Sequence, residues 1–254
     1  MLIRDDGIEL SAVLEAPEDH DGHRLVILLH VFTSSKDRPH NIRTAAAMRD
    51  AGFATLRFDL YGHGESGGEF RKHTLFKWIS NTLAVIHWAE EQGFDELYLS
   101  GHSQGGLVAA LAAGMEPDRI RGLILRAPAF MIPQSAREGN MLGRSFDPDR
   151  IPNVIGTIKE LELDGDYIRV AQMIHVEDAV DRFRGPVLIL HGDRDDTVPL
   201  KDSQKYSERY ENCDLIVLPG ETHHFDQHPD RAENLIRGWM NELIASSKRK
   251  NQNC

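Results

Sequence analysis

What this chain lacks sets its first bounds. No apolar stretch reaches the roughly 18 residues that a membrane-crossing helix requires, so no membrane is expected among its partners. It has two cysteines, Cys213 and Cys254, too few for a disulfide framework and without metal-ligand spacing. That scarcity fits a reducing, cytoplasmic setting. Positive charge is also short: 29 Lys and Arg stand against 40 Asp and Glu, a net charge of −11. Such a surface repels polyanions, so nucleic acid is not an expected partner, and the basic tail SSKRKNQNC is too short to reverse this. The opening MLIRDDGIEL carries acids where a secretory leader has basic and then apolar residues, so export is not expected. Internal repeats and low-complexity tracts are absent.

What is there is a rhythm. Apolar runs of strand length occur at residues 8–16, 24–30, 54–60, 96–101, 122–128, 186–192 and 214–220. Segments of helical period lie near 40–51, 74–92, 104–115, 202–210 and 229–246; in one of them Leu75, Trp78, Ile79, Leu83, Ile86 and Trp88 fall close to a 3.6 period. This alternation predicts an α/β fold with a mostly parallel sheet covered on both faces. Interior strands rich in Ile, Leu and Val without alternation agree with burial on both sides. The run at 8–16 alternates, which suggests an antiparallel edge strand. From Phe130 to about Arg184 the rhythm breaks, with Pro133, Pro148 and Pro152 and one helical segment near 166–180. The expected organisation is a core of residues 1–129 and 183–254 with an inserted lid at 130–182, over the carboxyl ends of the strands.

The most specific chemical signal is LYLSGHSQGGLVAALAAG. A strand enters Gly101-His102-Ser103-Gln104-Gly105 and leaves as a helix, which is the context of a nucleophile elbow. Ser103 is the candidate nucleophile. Gln104 opens the helix, so its main-chain N–H is free to donate to an oxyanion. A serine hydroxyl needs a base, and the base an orienting acid. A later strand ends at Asp193, Asp195 and Asp196, and the next ends at His223, His224 and His228. The HHFDQH cluster invites a metal reading, but Pro229 is expected to start the helix and leave these histidines on a loop without a second ligand cluster. No metal and no other cofactor is expected. His63 and His102 read as packed turn residues, and YGHGESGG has neither the spacing nor the lysine of a phosphate loop.

These motifs resemble the α/β-hydrolase superfamily over nearly the whole chain, and within it the cinnamoyl (feruloyl) esterases and related small carboxylesterases. The resemblance selects Asp195 from Gly192-Asp193-Arg194-Asp195-Asp196-Thr197-Val198-Pro199 and His223 from Gly220-Glu221-Thr222-His223-His224-Phe225. FDLYGHGESGG resembles the structural turn of that family, built on Asp59, Gly62, Gly64 and Ser66. It implies an acyl-enzyme mechanism on a small-molecule ester, with Phe32 and Gln104 as the oxyanion donors. His30, Val31, His102, Tyr167, Ser135 and Leu142 are its implied substrate-side positions. Tyr167 matches the tyrosine that grips a phenolic hydroxyl in those esterases, and the EGN at Glu138–Asn140 is similar too. Ser135 and Leu142 stand where an acid and an amide are expected, so specificity for hydroxylated acids is weakened. Another serine hydrolase of this fold (monoacylglycerol lipase, thioesterase or peptidase) and a non-catalytic binding protein stay open, as does a homodimer.

One stretch departs from the family pattern. LLHVFTSSKD reads His30-Val31-Phe32 where a His-Gly-Phe relative is expected, and β-branched Val31 disfavours positive φ. Either Val31 is accommodated at negative φ with some loss of activity or it is an introduced change. On this reading Val31→Gly raises turnover.

Overall fold

The computed structural model describes residues 1–158 and 161–252; within the 130–182 interval residues 159 and 160 lie outside it, as does Cys254. The chain opens with a hairpin, β1 (Leu2–Asp5) and β2 (Ile8–Glu15), closed by Asp6 and Gly7, both at positive φ as a two-residue hairpin turn requires. There follow β3 (Arg24–Leu29), α1 (Pro39–Asp50), β4 (Ala54–Phe58), a 3₁₀ turn (Phe70–Lys72), α2 (Leu75–Glu91), β5 (Glu96–His102), α3 (Gln104–Met115) and β6 (Ile120–Arg126). After an intervening segment come β11 (Val187–Gly192), α7 (Leu200–Ser207), β12 (Cys213–Leu218) and α8 (Pro229–Gln252). The intervening segment itself holds α4 (Ile132–Arg137), β7 (Asn140–Met141), β8 (Arg144–Ser145), β9 (Val154–Ile158), β10 (Leu161–Asp164), α5 (Asp166–Gln172) and α6 (Val176–Arg182).

Eight strands form one sheet in the order β1-β2-β4-β3-β5-β6-β11-β12, with β2 antiparallel to both neighbours and every pairing from β4 to β12 parallel. Successive residues of a strand point to opposite faces, and each face has its own core. Leu25, Ile27 and Leu29 of β3 pack with Trp78 of α2 and Val108 of α3, whereas Val26 and Leu28 pack with Met48 of α1 and Ile236 of α8. Both faces being dry is why the interior strands read as unbroken apolar runs.

All seven strands read from the sequence are present, with three corrections. The run at 8–16 is antiparallel but is not the edge; β1 is. That strand was missed because only Ile3 of its four residues is buried, leaving no pattern to read. The helix expected near 166–180 is two, α5 and α6, separated at Met173–His175. The interval also contains two short hairpins, β7–β8 and β9–β10, neither of which joins the main sheet. None of the described helices is long and apolar enough to cross a membrane.

The loops leaving β3 and β4 are tied by a buried charge. Asp59 has no exposed side-chain surface, and its carboxylate accepts from the Lys36 N–H at 2.6 Å, the Glu65 N–H at 2.9 Å and Lys36 Nζ at 2.9 Å. Lys36 is itself buried. Its ammonium also meets Glu65 at 2.7 Å and Asp37 at 3.1 Å; burial opposes its charge, but these carboxylates outweigh burial and hold the lysine protonated. Removing one partner strands the other in a dry site, at a cost of about 3–5 kcal/mol. Lys36→Met is therefore expected to lower unfolding free energy by about that amount in a urea titration. A loss below about 1 kcal/mol would show that the pair does not hold these loops.

Candidate active site

The site lies where open parallel sheets place ligands, beyond the carboxyl ends of the strands. Chain β5 runs into Ser103, which sits at φ 56°, ψ −122°, a conformation that only a strongly determined turn can hold. Three main-chain bonds fix it: the Ser103 N–H donates to Arg126 C=O at 2.9 Å, and its own C=O accepts from Leu107 at 3.1 Å and Ala129 at 3.0 Å. The turn closes only because its neighbours lack side chains. A Cβ on Gly101 would fall 2.2 Å from the Gly105 oxygen, and one on Gly105 would fall 2.5 Å from the His30 oxygen. The second approach presses the start of α3 against the end of β3. Gln104 is the first residue of α3, so its amide has no intrahelical acceptor.

Of the three candidate acids, Asp195 is the one that meets a histidine of the later loop. Its carboxylate accepts from His223 Nδ1 at 2.7 Å and from the amides of Thr197 and Val198 at 2.9 and 2.8 Å. His191 Nε2 stands 3.3 Å away, while donating to the Val198 C=O at 3.0 Å. Burial resists the charge, but the bonds from His191, His223 and Val198 dominate and hold the carboxyl well below the usual carboxylate range. Asp193 instead accepts from the Gly220 N–H, and exposed Asp196 from the Thr197 hydroxyl. His228 pairs with buried Glu221 at 3.0 Å, and α8 begins at Pro229 immediately after it.

Ser103 and His223 line one cavity of about 520 Å³, together with Val31, Phe32, Gln104, Ser135, Leu142 and Tyr167. Its wall is otherwise largely apolar, from Ala129, Met131, Ile132, Met141 and Val198, with Asn140, Asp196 and Thr197 adding polar atoms. Leu142 and Gly143 form the two-residue turn of the β7–β8 hairpin at φ 57° and 71°, so an apolar side chain is presented on left-handed backbone. Two residues assigned to the substrate side are not on this wall. His102 is buried behind it and donates from Nε2 to the His223 C=O at 2.8 Å. His30 is buried too: Nδ1 donates to Val31 C=O at 2.8 Å and Nε2 accepts from the Leu60 N–H at 3.1 Å. Tyr167 is 1% exposed, and its hydroxyl donates to Gln104 Oε1 at 2.7 Å.

The departure at Val31 has a plain resolution. The residue at positive φ in this loop is Thr33, at 59°, and not Val31. The Thr33 N–H donates to His63 Nε2 at 3.3 Å, and His63 Nδ1 donates to Tyr61 C=O at 2.9 Å. Glycine is thus not required at position 31. Several partners were invisible in the sequence: His73 meets Gln104 across 31 residues of chain, while His191 and Glu221 bond residues nearby in the chain with no motif to mark them.

The family described as serine aminopeptidase, S33 matches residues 20–155. Among solved structures, Est1E from Butyrivibrio proteoclasticus with ferulic acid bound is 44% identical, covers 96% of this chain and 99% of its own, and superposes with a TM-score of 0.94. The human protein ABHD12B is 28% identical over 76% of this chain, which spans about half (51%) of that relative's length. A monoacylglycerol lipase of Mycolicibacterium smegmatis is 24% identical over 84% of this chain and 85% of its own.

Two outcomes follow. Val31→Gly removes a buried side chain and loosens a loop already at negative φ, so it should cost about 2–3 kcal/mol and lower turnover, whereas Thr33→Gly should stay within about 0.5 kcal/mol of the parent because relieved strain offsets added chain entropy. A rise in turnover with Val31→Gly would refute this. Burial, and then nearby His63, lowers His30 to about 3; burial, and then Arg126, lowers His40 to about 4. Unfolded histidine titrates near about 6.5, so below that pH the unfolded chain binds more protons than the native one. Stability present above pH 6.5 is then lost as pH falls toward 3–4, and His30 alone accounts for about 2 kcal/mol by pH 5. Thermal unfolding between pH 7 and 5 reads this directly; a flat profile would contradict it.

Proposed function

This chain belongs to the α/β-hydrolase family described as serine aminopeptidase, S33, and from that premise we propose that it is a serine ester hydrolase acting on carboxylic esters of small aryl or short apolar acids, the cinnamoyl class among them. The observation that carries the reading is Ser103, on its strained elbow, sharing one cavity with a His223 whose Nδ1 bonds the carboxylate of Asp195 at 2.7 Å. His223 takes the Ser103 proton as the oxygen attacks the ester carbonyl. Asp195 holds the imidazole in the correct tautomer and balances the charge it acquires. The amides of Phe32 and Gln104 receive the oxyanion. Collapse expels the alcohol with the proton returned by His223, and water repeats the sequence on the acyl-enzyme.

The acyl group is assigned to the cavity wall contributed by residues 130–182, the segment read as a lid. A volume of about 520 Å³ lies in the range that encloses a compact ligand. Met131, Ile132, Met141 and Leu142 suit an apolar chain or ring. The likeness to a protein solved with ferulic acid supports an aryl acid. Ser135 and Leu142, however, offer neither carboxylate nor amide to ring hydroxyls. A site built to bind a hydroxyl rejects its absence by roughly 10⁴–10⁵, while an apolar pocket discriminates by only about 10–200.

Ser103→Ala is expected to abolish turnover of p-nitrophenyl acetate and methyl ferulate while the melting transition persists, and a fluorophosphonate should label the parent alone. Retained hydrolysis by the variant would end this assignment. On a panel with methyl cinnamate, a monoacylglycerol and a peptide anilide, methyl cinnamate and methyl ferulate should differ by less than about 200-fold in kcat/KM. Faster cleavage of the anilide or the glyceride than of both aryl esters would move the protein to another bond.

A further inference from the structure

Tyr167 of α5 touches the side chains of both residues whose amides are assigned to the oxyanion. Its hydroxyl proton is given to Gln104 Oε1 at 2.7 Å, and Gln104 Nε2 in turn donates to His73 Nε2 at 2.8 Å. The side chain of the residue whose amide faces the cavity is therefore pinned at both ends. The Tyr167 ring stacks on Phe32, with centroids 5.8 Å apart and planes 21° apart. His73 closes the triangle, 5.3 Å from the Tyr167 ring and 5.5 Å from that of Phe32. Both Tyr167 and His73 are buried, and Trp78 lies behind His73 at 4.7 Å. Burial, and then nearby His63 and His30, depress His73 far below the usual histidine value, so its ring is neutral and Nε2 can accept. A phenol has one proton to give, and here it goes to Gln104, which leaves the Tyr167 oxygen only its acceptor capacity toward a ligand.

We infer that Tyr167 is a positioning residue for the oxyanion hole, acting through Gln104 and Phe32, a role distinct from a grip on a ring hydroxyl of the substrate. This rests on the esterase reading of the same site. The two roles separate kinetically. Negative charge on the carbonyl oxygen develops only in the transition state, so misaimed amides lower kcat on every ester and leave KM unchanged. A lost grip on a phenolic hydroxyl weakens binding, and only for acids that carry one. The connection also gives the inserted segment a part in turnover, since α5 belongs to it while Phe32, after β3, and Gln104, at the start of α3, lie outside it.

Tyr167→Phe, Gln104→Leu and the double variant test it, each checked by thermal melting and assayed with p-nitrophenyl acetate, methyl cinnamate and methyl ferulate. Removing a whole oxyanion donor costs roughly 100- to 1000-fold, so loosening one should cost roughly 10-fold. We expect Tyr167→Phe to lower kcat by about that factor on all three esters with KM steady, and the double variant to be no worse than Gln104→Leu alone, as expected of residues in one network. A loss confined to methyl ferulate and expressed in KM overturns the inference, as does no loss on any ester or a multiplicative loss in the double variant. Should Tyr167→Phe not fold, Gln104→Leu keeps the aromatic stack and decides alone: a kcat loss on all three esters supports the inference, and parental kcat overturns it. Turnover that survives Ser103→Ala would instead defeat the esterase reading itself.

Discussion

The approach of Gly105 to the end of β3 is the constraint from which the site follows. A backbone can press this closely on the carbonyls of Leu29 and His30 only where no Cβ stands between them. That contact turns Ser103 into its strained conformation and aligns the first amide of α3 with the loop carrying Phe32. The strain at Ser103 persists because surrounding main chain over-determines it: bonds to Arg126, Leu107 and Ala129 leave the turn no relaxed alternative. Four parallel strands then deliver their loops to one end of the sheet, and Asp195, His223 and Ser103 arrive there from separate parts of the chain.

Those loops are fastened to one another by buried histidines. His30 spans Val31 and Leu60, His63 spans Tyr61 and Thr33, His102 holds the His223 carbonyl, and His191 holds the Val198 carbonyl beside Asp195. A neutral imidazole offers one donor and one acceptor on a rigid plane, which lets it bridge a carbonyl and an amide that two loops would otherwise leave unpaired in a dry region. Four of the thirteen histidines thus have a structural reason beyond catalysis. The same device ties the stability of the fold to the protonation state of residues that never touch substrate.

Much of this was legible in the sequence, and the limits have physical causes. The elbow and the doubly buried strands were readable because their demands are local: glycine at fixed offsets, and apolar residues at every position of a strand. Asp195 and His223, which the structure brings together, were selected by motif, since spacing alone left Asp193, Asp196, His224 and His228 open. Strand β1 and the two small hairpins escaped because short strands with at most one buried side chain among their described residues leave no periodic trace. Val31 misled for a different reason. The need for a left-handed residue was placed two positions early, and only the coordinates of the loop show Thr33 carrying it. Tyr167 was read as a substrate-side residue and lines the cavity, but its hydroxyl bond to Gln104, 63 residues earlier in the chain, spans a distance no local pattern reveals.

The rim of the cavity sets stability and recognition against each other. Leu142 occupies a left-handed turn position that asparagine or glycine would fill with less strain, yet its side chain forms part of the wall around Ser103. Sequence drift toward the easier turn residue would tighten the hairpin and, in the same step, open the pocket to wetter and more varied acyl groups. The breadth of substrates accepted by descendants of this protein is therefore coupled to how much backbone strain their lineage tolerates at one residue.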